Sequence, residues 1–171
     1  VQQSIQRCGL FRIQAPNYRI AAISLSLGHT GAPSPMEAAL IDNQVGQARQ
    51  QGIAVVAAAG NDSGATQYPA SASDVLAVGA GYSGGGLCPY GSFDGRTDLV
   101  APGCGILEAT DLATGVAAVD NAGGSSTATM LVAQSITILC DLVPGLTGVQ
   151  AQTALVATAR HDGILAIPDL E

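Results

Sequence analysis

Tryptophan is absent from this chain of 171 residues, and charged residues make up only 11% of it. Apolar residues reach 47%, so low charge here does not signal a disordered segment. No stretch has the roughly 18 to 20 uninterrupted apolar residues of a membrane span. No secretory leader is visible, which carries little weight if the chain does not begin where its gene does. Basic residues are scarce: six Lys and Arg against thirteen Asp and Glu give a net charge of −7. A nucleic-acid partner would call for a basic face, so the charge argues against that class. Cys8, Cys88, Cys104 and Cys140 lack CxxC spacing, which argues against a zinc site. Four cysteines allow three pairings and sequence does not choose, although Cys88 with Cys104 would close a short loop around the segment before Ala101-Pro102-Gly103.

Glycine, by contrast, is abundant at 22 residues, and it stands among small apolar residues that let strands and helices pack closely. The length suits one domain over 1–171. Val1, Ile5 and Cys8 form a helical stripe that Gly9 ends, and the helix opens without a cap, as in a cut or truncated product. Arg19 to Leu27 is apolar enough for a central parallel strand. Ser34-Pro35-Met36-Glu37 is a capping box, and Gly52 closes its helix. Ile53 to Ala59 comes next as a strand, completing a right-handed βαβ unit. Asp74 to Ala80 and Thr97 to Val100 read as further short strands, and 106–120 as a hairpin-like pair. Ser126 to Val143 is a helix apolar nearly all round, predicting burial in the core. Thr147 and Gln150 cap a last helix to about Arg160, before a tail that is a loop or a final short strand. The sum is an α/β chain with a mostly parallel sheet.

Two stretches carry chemistry. Gly123-Gly124-Ser125-Ser126 delivers a serine to the mouth of a helix, where free N–H groups hold developing negative charge. The alternative for that serine is a plain helix cap. Upstream, Val55 to Ala59 is a buried strand ending in the Gly60-Asn61 turn, whose amide can aim at the same charge. A third candidate, Gly79 to Gly84, matches GxGxxG. It runs into Gly85-Gly86-Leu87-Cys88-Pro89, which does not readily open a helix, so the match to a dinucleotide site is weak.

The strings VVAAAGNDSG, YPASASDVLAVGA, DLVAPG and GGSSTAT, in that order, resemble the subtilisin-like serine peptidases over nearly the whole chain. The resemblance implies a three-layer sandwich with a mostly parallel sheet between helices, incomplete at its N-terminus. It implies that Ser126 is the nucleophile, Asn61 the oxyanion asparagine, and Ser26, Leu27 and Gly28 the strand edge that pairs with substrate. Ala58 and Gly60 would line the pocket for the residue before the scissile bond, and small residues there would leave room for a large apolar side chain. The partner implied is a peptide or protein substrate. Calcium is common in the family, but no acidic ligand loop stands out here, so no metal or cofactor is assigned. Low charge, four cysteines and an acidic balance lean toward a secreted or extracytoplasmic bacterial protein.

Acyl transfer also needs a base and a group that orients it. The family's Asp strand and His-Gly-Thr-His helix precede the region that opens this chain, and neither motif occurs in it. An N-terminal segment of the same gene product would have to supply them. His29 reads as an exposed loop residue, and His161 as a cation at the end of the last helix. The family's usual proline is Met130 here and its common histidine is Leu131, which removes a kink beside Ser126. Two other readings are a non-catalytic relative used for binding or scaffolding, and an α/β-hydrolase esterase using Ser126, Asp141 and His161 in that fold's order.

Overall fold

The computed structural model describes residues 1–14, 19–106, 108–111, 116–118, 123–161 and 166–167. Its centre is a parallel sheet of four strands in the order β1 (Ala22–Leu25), β2 (Ala54–Ala58), β3 (Leu76–Tyr82) and β4 (Leu99–Cys104). All five residues of β2 are buried, as the uninterrupted apolar run predicts for a strand covered on both faces. Alternate side chains serve opposite layers. Val55, Ala57, Val75 and Ala77 join Ile23 and Leu25 under α1 (Gln2–Gln14) and α2 (Pro35–Gln50), which contribute Ile5, Val45 and Ala48. Val56, Val78, Leu99 and Ala101 meet Ala128, Val132, Ile136 and Cys140 of α3 (Ser125–Leu142) on the other face. Ala151 and Leu155 of α4 (Gly148–Thr158) complete that layer. Each Val, Leu or Ile so buried is worth about 1.5–3 kcal/mol relative to exposure, so the α/β/α sandwich expected from the sequence holds together through two apolar layers.

Both capping boxes form. Ser34 Oγ accepts from the Glu37 N–H, and Thr147 Oγ1 from the Gln150 N–H. Gly79 to Gly84, which matched the dinucleotide pattern, begins inside β3 and passes into a turn. The hairpin-like pair is β5 (Glu108–Asp111) and β6 (Val116–Ala118), antiparallel; the remainder of 106–120, apart from 106, lies outside the described residues.

Three expectations are corrected. Gly9 does not end the first helix; α1 runs on to Gln14. A Cβ at Gly9 would meet Gln51 Nε2 at 3.0 Å, so this glycine lets α1 lie close to the end of α2 rather than terminating it. The last helix ends at Thr158, and His161 sits beyond it in β7 (Arg160–His161), paired with β8 (Ala166–Ile167). It is therefore not at the helix end; its side chain, and the rest of the tail, lie outside the described residues. Finally, α3 is not buried all round. Met130, Ile138 and Leu142 are 53%, 49% and 72% exposed, because the helix covers one face of the sheet and nothing among the described residues covers its outer side.

The pairing that the sequence left open is Cys88 with Cys104, while Cys8 and Cys140 are free thiols. The Cα atoms of the bridged pair are 6.0 Å apart, and the bridge closes a loop of sequence separation 16 that ties β4 to the loop after β3. A loop of this size restricts the unfolded chain by about 3 kcal/mol. Replacing both cysteines (C88A/C104A) is expected to lower the unfolding free energy by about that amount in a urea titration, with the same effect on the parent when it is reduced before the titration.

Candidate active site

The carboxyl ends of parallel strands leave a crevice where the next chain segments turn away. Here β1 leads into Ser26-Leu27-Gly28, β2 leads into Ala59-Gly60-Asn61, and the first turn of α3 arrives from the side. One cavity of about 350 Å³ forms between them. The seven residues singled out from the sequence, Ser26, Leu27, Gly28, Ala58, Gly60, Asn61 and Ser126, all line it. Asp62, Gln67 and Ser125 complete the lining, and sequence reasoning singled out none of these three for a role.

Ser125 is the junction. It is the first residue of α3, 1% exposed, and its N–H donates to Asn61 Oδ1 at 2.9 Å. Its Oγ accepts from the Gly60 N–H at 3.1 Å, and its carbonyl accepts from Thr129 Oγ1 at 2.6 Å. The helix mouth is thus fixed to the end of β2 across 64 and 65 positions of sequence. With Oδ1 of Asn61 engaged, the Nδ2 hydrogens are the donors that its carboxamide has left to offer. Ser126 is the second helical residue, so its own N–H has no acceptor within the helix. Its carbonyl accepts from Ser26 Oγ at 3.0 Å, which links the third strand end to the same turn.

Neither serine is the helix cap. That position is Gly124, with φ +93°, and no side chain caps the helix. The glycine is required twice over. Its φ lies where L side chains are strained, and a Cβ would meet Asn61 Nδ2 at 2.6 Å and Oδ1 at 2.8 Å. Behind it the Gly124 N–H donates to the Gly103 carbonyl, and a Cβ on Gly123 or Gly103 would strike the backbone of the facing segment. Backbone against backbone is how β4 and the turn before α3 meet.

Gln67 packs against both Gly28 and Gly60 and donates from Nε2 to Asp62 Oδ2 at 2.9 Å. Asp62 Oδ1 accepts from Ser92 Oγ at 2.5 Å. The Ser92 hydroxyl and then the Gln67 amide hold the Asp62 carboxyl below the usual range, so it is ionised at neutral pH.

No described residue hydrogen-bonds to Ser126 Oγ. His29 is exposed and lies on a loop paired with Tyr68, its N–H donating to the Tyr68 carbonyl at 2.8 Å. It does not line the cavity that holds Ser126. Asp141 stands on α3 itself, about 22 Å along the helix axis from Ser126 at 1.5 Å per residue. The esterase triad is therefore excluded.

The model of the Subtilase family matches residues 1–169. This chain belongs to that family. An extracellular protease of Xanthomonas campestris pv. campestris is 33% identical over 144 residues, which are 81% of this chain and 24% of that protein. Subtilisin Savinase of Lederbergia lenta is 31% identical over 150 residues, 87% of this chain and 52% of that protein. A solved protease from Pseudoalteromonas arctica superposes with a TM-score of 0.72 at 25% identity, covering 87% of this chain and 49% of that one. The chain thus spans about half the length of Savinase and a smaller share of the Xanthomonas protease. As a subtilase it departs from the resemblance at Met130 and Leu131, yet α3 runs through both positions without a break and Ser126 keeps its place in the first turn.

Gly124→Ala is expected to destabilise the fold by about 2 kcal/mol or more through strain and the clash with Asn61. In a double-mutant cycle, Asn61→Ala should relieve part of that loss, giving a coupling above about 0.5 kcal/mol. Additive unfolding free energies would show that the two residues do not press on one another.

Proposed function

We propose that this chain is the C-terminal part of a serine endopeptidase that hydrolyses peptide bonds through an acyl-enzyme on Ser126. The observation that carries the reading is the Ser125–Asn61 hydrogen bond, which sets the Asn61 amide and the Ser126 hydroxyl around one cavity. Ser126 Oγ attacks the carbonyl carbon of the scissile bond and passes its proton to a base. The carbonyl oxygen becomes an oxyanion, which the Asn61 Nδ2 and the Ser126 N–H stabilise as paired donors at the mouth of α3. The base then returns the proton to the leaving amine, and water releases the acid product by the same route. Substrate backbone lies along Ser26-Leu27-Gly28. Leu27 and Gly28 also border a second, mostly apolar cavity of about 490 Å³ with Leu40, Ile41 and Tyr68, where a further substrate side chain would rest.

The base and its orienting acid come, on this reading, from an N-terminal segment outside this chain. Two surfaces support that. β1 is a sheet edge whose Ser24 is exposed in mid-strand, and α3 leaves Met130, Ile138 and Leu142 uncovered. A segment carrying a strand and a helix would cover both. The Cys88–Cys104 bridge and the extracellular protease among the relatives support an extracytoplasmic setting. The contrary reading, a subtilase scaffold without chemistry, draws on the absence of a base beside Ser126 among the described residues.

Expression from the complete reading frame, with a fluorophosphonate probe as the readout, separates the two. Labelling is expected on the peptide containing Ser126 and lost in Ser126→Ala. Asn61→Ala should lower kcat by about 10²–10³ with little change in KM. An unlabelled Ser126 in the complete protein would leave the scaffold reading standing.

A further inference from the structure

Away from the cavity, a second set of contacts joins the Asn61 turn to the Ser126 turn without passing through Ser125. The Asn61 turn is laced to residues 89–93. The Ser92 N–H donates to the Gly60 carbonyl at 3.0 Å, and the Phe93 N–H to the Gly64 carbonyl at 3.0 Å. The Ser63 N–H donates to the Tyr90 carbonyl at 3.0 Å, and Ser63 Oγ to the Pro89 carbonyl at 3.0 Å. Ser63 has φ +56°, a left-handed backbone that is uncommon for any residue but glycine. The bonds to Pro89 and Tyr90 hold it there, just past Asn61.

The same segment reaches the other turn. Cys88 is bridged to Cys104, and both are buried with Ala80. Tyr90 lies inside the loop that the bridge closes. Its hydroxyl donates to the Gly103 carbonyl at 3.4 Å, with Cys104 Sγ 3.3 Å from its oxygen. The Gly103 carbonyl also accepts from the Gly124 N–H, just before Ser125 and Ser126. Gly103 sits where the β3–β4 register shifts: Gly81 faces Pro102, Tyr82 faces Cys104, and no β3 residue faces Gly103. The bridge and the tyrosine therefore hold Gly103 where the ladder skips it.

The contacts close a ring. It runs from Asn61 through Ser63 to Tyr90, on to Gly103 by hydroxyl and bridge, from Gly103 to Gly124, and from Ser125 back to Asn61. The front bonds, to Asn61 and to Gly60, both pass through Ser125. Two turns joined at one residue can pivot about it, and a second tie at a distance removes the pivot. An oxyanion hole needs that restraint, because both donors must aim at one oxygen. Resting on the peptidase reading above, we infer that the Cys88–Cys104 bridge and the Tyr90 hydroxyl are positioning groups for the oxyanion pair. They set the angle between Asn61 and Ser126 and touch no substrate.

The test uses protein expressed from the complete reading frame, at a temperature where circular dichroism shows each variant folded. C88A/C104A should lower kcat for a peptide substrate about tenfold, and Tyr90→Phe about threefold, each with KM within about twofold of the parent. In an Asn61→Ala background the same changes should cost less than about twofold, because no angle is left to set. Replacing Tyr90 with p-aminophenylalanine, which returns an N–H donor to the Gly103 carbonyl, should recover most of the Tyr90→Phe loss. Full kcat in the folded cysteine variant, or the same fold loss with and without Asn61, overturns this inference alone, provided the fluorophosphonate probe labels Ser126 in the parent. If C88A/C104A does not fold, Tyr90→Phe decides by the same two comparisons. If the parent cleaves no peptide and Ser126 stays unlabelled, the peptidase reading falls and this inference with it.

Discussion

The hydrogen bond from the Ser125 N–H to Asn61 Oδ1 is the contact on which the rest of the site turns. One buried bond of this kind adds only about 1 kcal/mol net, far less than the apolar layer beneath it. Ala128, Val132, Ile136 and Cys140 hold α3 against the sheet, and burial of such side chains supplies the strength. Apolar packing is tolerant of small sliding and rotation, however, because its energy is not directional. The polar contacts at the helix mouth remove that freedom. Ser125 ties the first turn to Asn61 and Gly60, Ser26 ties it to β1, and the Gly124 N–H ties it to β4. Strength and phase thus come from different interactions, and the second set decides where Ser126 stands.

Much of this is legible in the sequence, and the failures share a cause. Apolar runs locate all four strands of the central sheet, and cap chemistry locates the starts of α2 and α4, because those signals are local. Gly9 misleads because glycine ends a helix when it supplies a left-handed φ, whereas here it supplies room for Gln51 within a continuing helix. The pattern of α3 overstates its burial because composition reports what a helix offers, not which neighbours cover it. Met130 and Leu142 are apolar and exposed all the same.

The site shows the same divide. Ser126 and Asn61 can be read because each sits in a short motif that the family resemblance matches. Gln67 cannot, since it lies on a turn-rich loop and looks like any polar surface residue. Only the fold carries it between Gly28 and Gly60. In the sequence Ser125 is merely the neighbour of Ser126, yet its bonds to Asn61 and Gly60 place the turn that carries both. A signal for it does exist: a small hydroxyl residue directly after a glycine pair, at a helix start, can be buried and still keep its polar atoms satisfied.

The two walls of the cavity are held by different means. The wall with Ser126 hangs on a long helix packed into the core. The floor with Gln67 and Asp62 hangs on loops, and those loops are cross-tied. Asp94 accepts from the Thr66 N–H at 3.1 Å, from Thr66 Oγ1 at 2.6 Å and from the Arg96 N–H at 2.9 Å. Ser92 donates to Asp62, and the Cys88–Cys104 bridge closes the segment that contains Ser92 and Asp94. A loop tied at so many points presents a floor of fixed shape. None of these ties passes through the apolar layer under α3. The floor can therefore change its chemistry, one loop side chain at a time, while Ser126 and Asn61 keep their places. In this architecture the loop residues that floor the cavity are structurally separable from the helix turn that carries Ser126.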